Sequence, residues 1–133
     1  MAQIFQADAQ SSIPGLTLPA GVTTALIETK PLQPPFGTCK AKVFGQATFL
    51  PSADWAQINL LLYRNPAKEN LLIGTAILSF ASPAAGDLIL SVAATDDVPD
   101  GRSLVYQLAV YPTGSTAGST DFTSYIEATL ISG

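Results

Sequence analysis

Through most of this chain apolar residues recur at every second position, and a period of two belongs to a β-strand with one buried face. Between Cys39 and Phe49 the odd positions hold Cys39, Ala41, Val43, Gly45, Ala47 and Phe49, while Lys40, Lys42, Gln46 and Thr48 take even ones; Phe44 is the exception. The parity then switches, with Ala56, Ile58, Leu60 and Leu62 on one face and Gln57 and Asn59 on the other. Leu88 to Ala94, Leu104 to Val110, and Phe122 to Leu130 repeat the alternation. Leu71 to Ile73 is apolar on both faces, which predicts a central strand. Upstream, Leu16 to Leu18 and Val22 to Ile27 read as strands around the turn Pro19-Ala20-Gly21.

Pro, Gly, Asn, Asp and Ser separate these segments at Pro51 to Asp54, Asn65 to Asn70, Ser82 to Asp87 and Asp96 to Gly101. Pro112 to Thr120 reads as a flexible tip with nothing to bury. About eight antiparallel strands with short turns predict an all-β, two-sheet β-sandwich of the jelly-roll kind. A chain of 133 residues suits one domain, here residues 14–133. Residues 1–13 are polar at the start and lack turn punctuation, so they are expected as an N-terminal arm, with Ile4 and Phe5 as its apolar anchors.

Most chemistries lack their residues. There is no histidine, which removes the commonest general base and the commonest transition-metal ligand together. No glycine-rich phosphate loop is present, so an enzyme and a bound cofactor are both disfavoured. Six Lys+Arg against ten Asp+Glu offer nucleic acid no basic surface. Mean hydropathy is +0.33, yet no stretch approaches the roughly 18 apolar residues of a spanning helix. The start of the chain has no secretory pattern, so the protein is expected to act where it is made or to leave by another route such as lysis.

Four local features remain, and a structural role accounts for each. Asp96, Asp97 and Asp100 form the close acidic group; Asp-Asp-x-Pro-Asp-Gly is a turn composition, with a calcium site as the alternative and catalysis behind both. Trp55 reads as core or rim packing rather than a sugar platform. Cys39 reads as a small buried hydrophobe, and Lys40 and Lys42 as guards on an edge strand.

Charged residues make up only 12% of the chain, about half the share of an average soluble domain. Several positions opposite the inward set are also apolar: Leu61 and Tyr63, Val105 and Tyr111, Tyr125 and Ile131. A bulge or a covering loop would account for them, and so would a subunit interface made by one sheet face.

Four stretches carry a likeness: Leu16-Thr17-Leu18-Pro19-Ala20-Gly21-Val22-Thr23-Thr24, Ile58 to Arg64, the Asp96–Gly101 turn with Leu104 to Leu108, and Tyr125 to Ile131. Together they span most of residues 14–133, and the chain resembles the short jelly-roll or tumour-necrosis-factor-like sandwiches of tailed-bacteriophage structural proteins, including capsid decoration (cement) proteins and head fibres. The resemblance implies a non-enzymatic homo-oligomer, a trimer first, that is made in the host cytoplasm, sits on the virion surface and binds the major capsid protein of a phage head, with the arm docking through Ile4 and Phe5. The alternative is a receptor- or glycan-binding fibre or tail-tip module, contacting its ligand through Trp55, the Asp96–Gly101 loop or the Thr113–Thr120 loop.

Overall fold

The alternating segments form eight strands: β1 (Gln3–Leu18), β2 (Thr24–Glu28), β3 (Cys39–Phe49), β4 (Trp55–Arg64), β5 (Leu71–Ser79), β6 (Leu88–Val98), β7 (Tyr106–Gly114) and β8 (Gly118–Ser132). The computed structural model describes residues 3–33, 39–49, 55–79, 88–98, 103–114 and 118–132, and among these no residue is helical. Two four-stranded antiparallel sheets result, ordered β1-β8-β3-β6 and β2-β7-β4-β5. This is the strand order of a jelly roll, and the sequence expectation of a two-sheet sandwich stands.

Alternation fixes which side of each strand is buried, because the pleat sends successive side chains to opposite faces. Ala41, Val43, Ala47 and Phe49 of β3, Phe122, Ile126, Ala128 and Leu130 of β8, and Val92 of β6 supply one inner wall. Ile58, Leu60 and Leu62 of β4 and Tyr106, Leu108 and Val110 of β7 supply the other. The Phe49 and Phe122 rings stack at 5.1 Å toward one end of the core. β3 pairs with β6 and β8 without a register shift, so a slip of one residue would turn the whole inner row to solvent.

Several sequence expectations change. From Gln3 onward the expected arm is strand: Gln3 to Ile13 pair with Ser132 to Phe122 of β8, and Ala7, Ala9 and Ile13 are half-buried. Its alternation is muted because small and polar residues fill the inward row. β5, expected at the centre, is an edge strand bonded only to β4, with Leu71 and Leu72 exposed. β3, expected at an edge because of its lysines, lies between β8 and β6. The tip narrows as well, since Pro112 to Gly114 belong to β7 and Gly118 to Thr120 to β8.

Turns follow local chemistry. At Pro14-Gly15 the β1–β8 ladder shifts register, because proline offers no N–H and Gly15 takes φ +62°; the Gly15 amide instead donates to Asp121 Oδ1 at 2.6 Å. Asn65 and Asn70 bracket the β4–β5 turn with φ of 47° and 48°, a conformation asparagine tolerates. The Asn65 carbonyl accepts from the amides of Lys68, Glu69 and Asn70, and Asn65 Oδ1 accepts from the Val105 amide.

The acidic group expected as a turn is also different. Asp96, Asp97 and Val98 are in β6, and Asp96 points inward, 7% exposed. Arg64 Nη1 donates to Asp96 Oδ1 at 2.9 Å and Oδ2 at 3.0 Å, and Tyr106 Oη donates to Oδ2 at 2.9 Å. Glu69 meets Arg64 Nε at 3.2 Å. Burial opposes the charge on Arg64, yet Asp96 and Glu69 outweigh it, and its pKa is raised. Burial, reinforced by Asp96, also raises the Tyr106 phenol far above its usual value. With both oxygens engaged, Asp96 is not a free calcium ligand, and Asp100 lies outside the described residues.

Removing Asp96 leaves Arg64 with Glu69 alone and the buried Tyr106 hydroxyl without its acceptor, so Asp96→Ala is expected to cost about 3–5 kcal/mol. The double variant Arg64→Met/Asp96→Leu is expected to recover much of that loss in the same denaturation curve. A Cβ on Gly45 would stand 2.6 Å from Leu108 Cδ1 and 3.2 Å from Leu62 Cδ2, and Gly45→Ala is expected to cost ~1–3 kcal/mol through overpacking. Deleting residues 1–10 removes the Gln3–Gln10 half of β1 from its pairing with β8, and urea unfolding of the truncated chain is expected to show a lower midpoint than that of the untruncated one.

Candidate functional site

The sandwich has two outward faces, and they differ in charge. On the β2-β7-β4-β5 face, the described residues of β4, β5 and β7 place no charged side chain outward; Arg64 of β4 is turned into the core. Registry sets the surface in rows. Asn59 lies between Ile77 and Tyr111, Leu61 between Thr75 and Ala109, and Tyr63 between Leu72 and Gln107. Ile77 is 59% and Leu72 46% exposed, and Leu61, Tyr63 and Tyr111 are half-buried. Glu28, on β2, accepts from Gln107 Nε2 at 2.8 Å.

The same face holds an unmet polar group. Asn59 Oδ1 is enclosed and has no hydrogen-bond partner, a state that costs about 1–3 kcal/mol unless something supplies a donor. Val105 lies at the margin, where it lines a cavity of about 160 Å³ with Glu28, Asn65, Pro66, Ala67, Lys68 and Ser103.

The β1-β8-β3-β6 face is mixed, carrying Asp8, Lys40, Lys42, Asp97 and Glu127. In its middle row Asp8, Glu127, Phe44 and Ala93 stand side by side, and the adjacent row is Gln10, Tyr125, Gln46 and Ser91. Phe44 is 37% exposed and its ring meets that of Tyr125 at 6.3 Å and 54°. Tyr125 Oη donates to Glu127 Oε2, and this bond, aided by slight burial and by the charges of Glu127 and Asp8, pushes the phenol up to about 12. An open depression of about 560 Å³ lies over Ala93, walled by Phe44, Lys42, Thr95, Glu127 and Thr129.

The six positions expected at one interface therefore divide. Leu61, Tyr63 and Tyr111 share a face with Val105 at its margin, whereas Tyr125 and exposed Ile131 belong to the opposite sheet. Parity separates inward from outward but does not say which sheet a strand joins. The side chains of Ile4, Phe5, Cys39 and Trp55 lie outside the described residues, as do residues 115–117 of the tip. Sequence reasoning missed the Arg64–Asp96–Tyr106 cluster and the Phe44–Tyr125–Glu127 group. Phe44 gave the one signal, as the residue that broke the alternation of β3.

No protein-family model matches the sequence, and no curated protein matches it. Solved structures do. The chain is similar to a mutant VP2 protein of infectious bursal disease virus in T=1 particles, with TM-score 0.55 and 12% identity over 98% of this chain and 35% of VP2. The VP2 subviral particle of that virus gives TM-score 0.55 at 10% identity, over 98% of this chain and 36% of that one. Eiger TNF from S. frugiperda gives TM-score 0.51 at 16% identity, covering 95% of this chain and 91% of Eiger. The chain spans little more than a third of VP2 and nearly all of Eiger, and at these identities what is shared is the jelly-roll fold.

Proposed function

We propose that this chain is a non-enzymatic structural protein of a virus particle, of the tailed-phage capsid decoration type, which assembles as a homo-oligomer and binds and stabilises the head. The observation that carries the reading is the charge asymmetry of the two outer faces. One is uncharged across β4, β5 and β7 and leaves Leu72 and Ile77 in solvent, on an edge strand that has neither lysine nor proline to discourage pairing. Such an edge in a lone domain promotes uncontrolled association, and a specific neighbour removes the hazard. The other face carries charges of both signs and suits the outside of an assembly.

A closed ring of copies hides the apolar face without leaving a sticky remainder, and a trimer is the first expectation. The jelly-roll fold shared with a VP2 protein of virus particles supports the virion setting as precedent. With residues 3–13 drawn into the sheet, contact with the major capsid protein falls to the assembled sandwich rather than to a free arm. The protein would then be made in the host cytoplasm and end on the capsid surface.

Light scattering tests the assembly. The wild-type chain is expected to be oligomeric at micromolar concentration, and Ile77→Lys or Tyr63→Glu to yield folded monomers, since a charge buried without a partner costs several kcal/mol. Tyr125→Glu, on the opposite face, is expected to leave the oligomer intact. A monomeric wild type removes the assembly reading. Antibody labelling of particles from the native source checks the location, and particles that take no label remove the virion reading.

A further inference from the structure

We propose that the outer face of the β1-β8-β3-β6 sheet carries a saccharide-binding site, with Phe44 as the wall against which a sugar ring packs and Glu127 and Lys42 as the groups that bond its hydroxyls. The site follows from the small residue opposite Phe44. Across the β3–β6 ladder Phe44 is paired with Ala93, whose side chain ends at Cβ, and the gap is the depression of about 560 Å³. Ligand pockets run from about 300 to 1,000 Å³, and the volume suits one or two sugar rings.

Its walls supply what a neutral sugar needs. A pyranose has an apolar C–H face and a rim of hydroxyls that both donate and accept. Phe44 offers an exposed aromatic surface to the first. Glu127 accepts, Lys42 donates, and the hydroxyls of Thr95 and Thr129 do either. No ion pair engages Lys42 among the described residues, so its donors are available. Tyr125 holds two of these groups in place, its ring against Phe44 and its hydroxyl on Glu127, so less order has to be imposed when a ligand arrives.

Other ligand classes fit less well. Asp8, Glu127 and Asp97 oppose a phosphate backbone or an anionic glycan. A peptide strand could pair only along the outer edge of β6, away from Phe44, Lys42, Glu127 and Thr129, because β3 and β8 are bonded on both sides. The contacts expected from sequence at Trp55 and at the Asp96–Gly101 and Thr113–Thr120 loops are not part of this site.

The full-length protein is to be screened on an array of neutral oligosaccharides built from hexoses and N-acetylhexosamines, and the strongest binder titrated by two-dimensional NMR. Amide shifts are expected at Lys42, Phe44, Thr95, Glu127 and Thr129. Phe44→Ala and Glu127→Gln are each expected to weaken binding by about tenfold or more, with the unfolding midpoint of the free protein kept near that of wild type. An array on which nothing binds, or binding that Phe44→Ala leaves intact, overturns the proposal. The site lies opposite the assembly surface, so light scattering reports failure of the assembly reading and the array reports failure of this one.

Discussion

Asp96 carries a carboxylate into the core, and a charge in that position constrains everything around it. Its inward row on β6 is Val92, Ala94, Asp96 and Val98, and only this register delivers the carboxylate to Arg64. A slip of one residue would bury Asp97 and expose Val92. Arg64 stands on the other sheet, where it pairs with Tyr106 across the β4–β7 ladder, so meeting the charge requires the two sheets to close with their ends aligned. The Asn65 turn completes the arrangement, since Asn65 Nδ2 donates to Glu69, which in turn meets Arg64. Apolar packing supplies the main driving force here as elsewhere, but it is tolerant of register. The ion pair is not.

The opposite demand acts at the middle of the sandwich. Gly45 leaves no side chain on the inner face of β3, and Leu62 and Leu108 from the facing sheet occupy that space. Large residues on β4 and β7 are thus matched by small ones on β3 and β8, where Ala41, Ala47 and Ala128 are all buried. Interdigitation of this kind brings the sheets close together, which lets a chain of this size close its core with few polar groups inside.

Periodicity makes the strand content and the inner rows of β3, β4, β6, β7 and β8 legible in the amino-acid sequence alone. It reports the side of a strand that is covered, not the strand's place in a sheet. Leu71 to Ile73 reads as central because both faces are apolar, yet one of them is the uncharged outer surface of an edge strand. Lys40 and Lys42 read as edge guards, yet they stand on the outer face of an inner strand. Asp96 reads as a turn residue because its partner Arg64 is 32 positions away and leaves no local mark. The candidate sites are harder still, since the assignment of Leu61 and Tyr125 to different faces depends on a strand order that no local pattern encodes.

That separation between inner and outer rows has a consequence for what fold likeness can convey. Along β8, Phe122, Ser124, Ile126, Ala128 and Leu130 are buried, while Thr123, Tyr125, Glu127, Thr129 and Ile131 alternate with them on the outside. The inner row must satisfy the core, and any chain that meets its volume and polarity can adopt the same jelly roll. The outer row is free of that demand. VP2 and Eiger TNF share the architecture at 12% and 16% identity because so few positions are dictated by it. Residues that decide partners belong to the other half of the pleat, where a substitution need not disturb packing. The uncharged rows around Leu61 and Tyr63 and the mixed row around Phe44 and Glu127 are therefore the part of this chain that is its own. Its function has to be read from them rather than from the fold beneath.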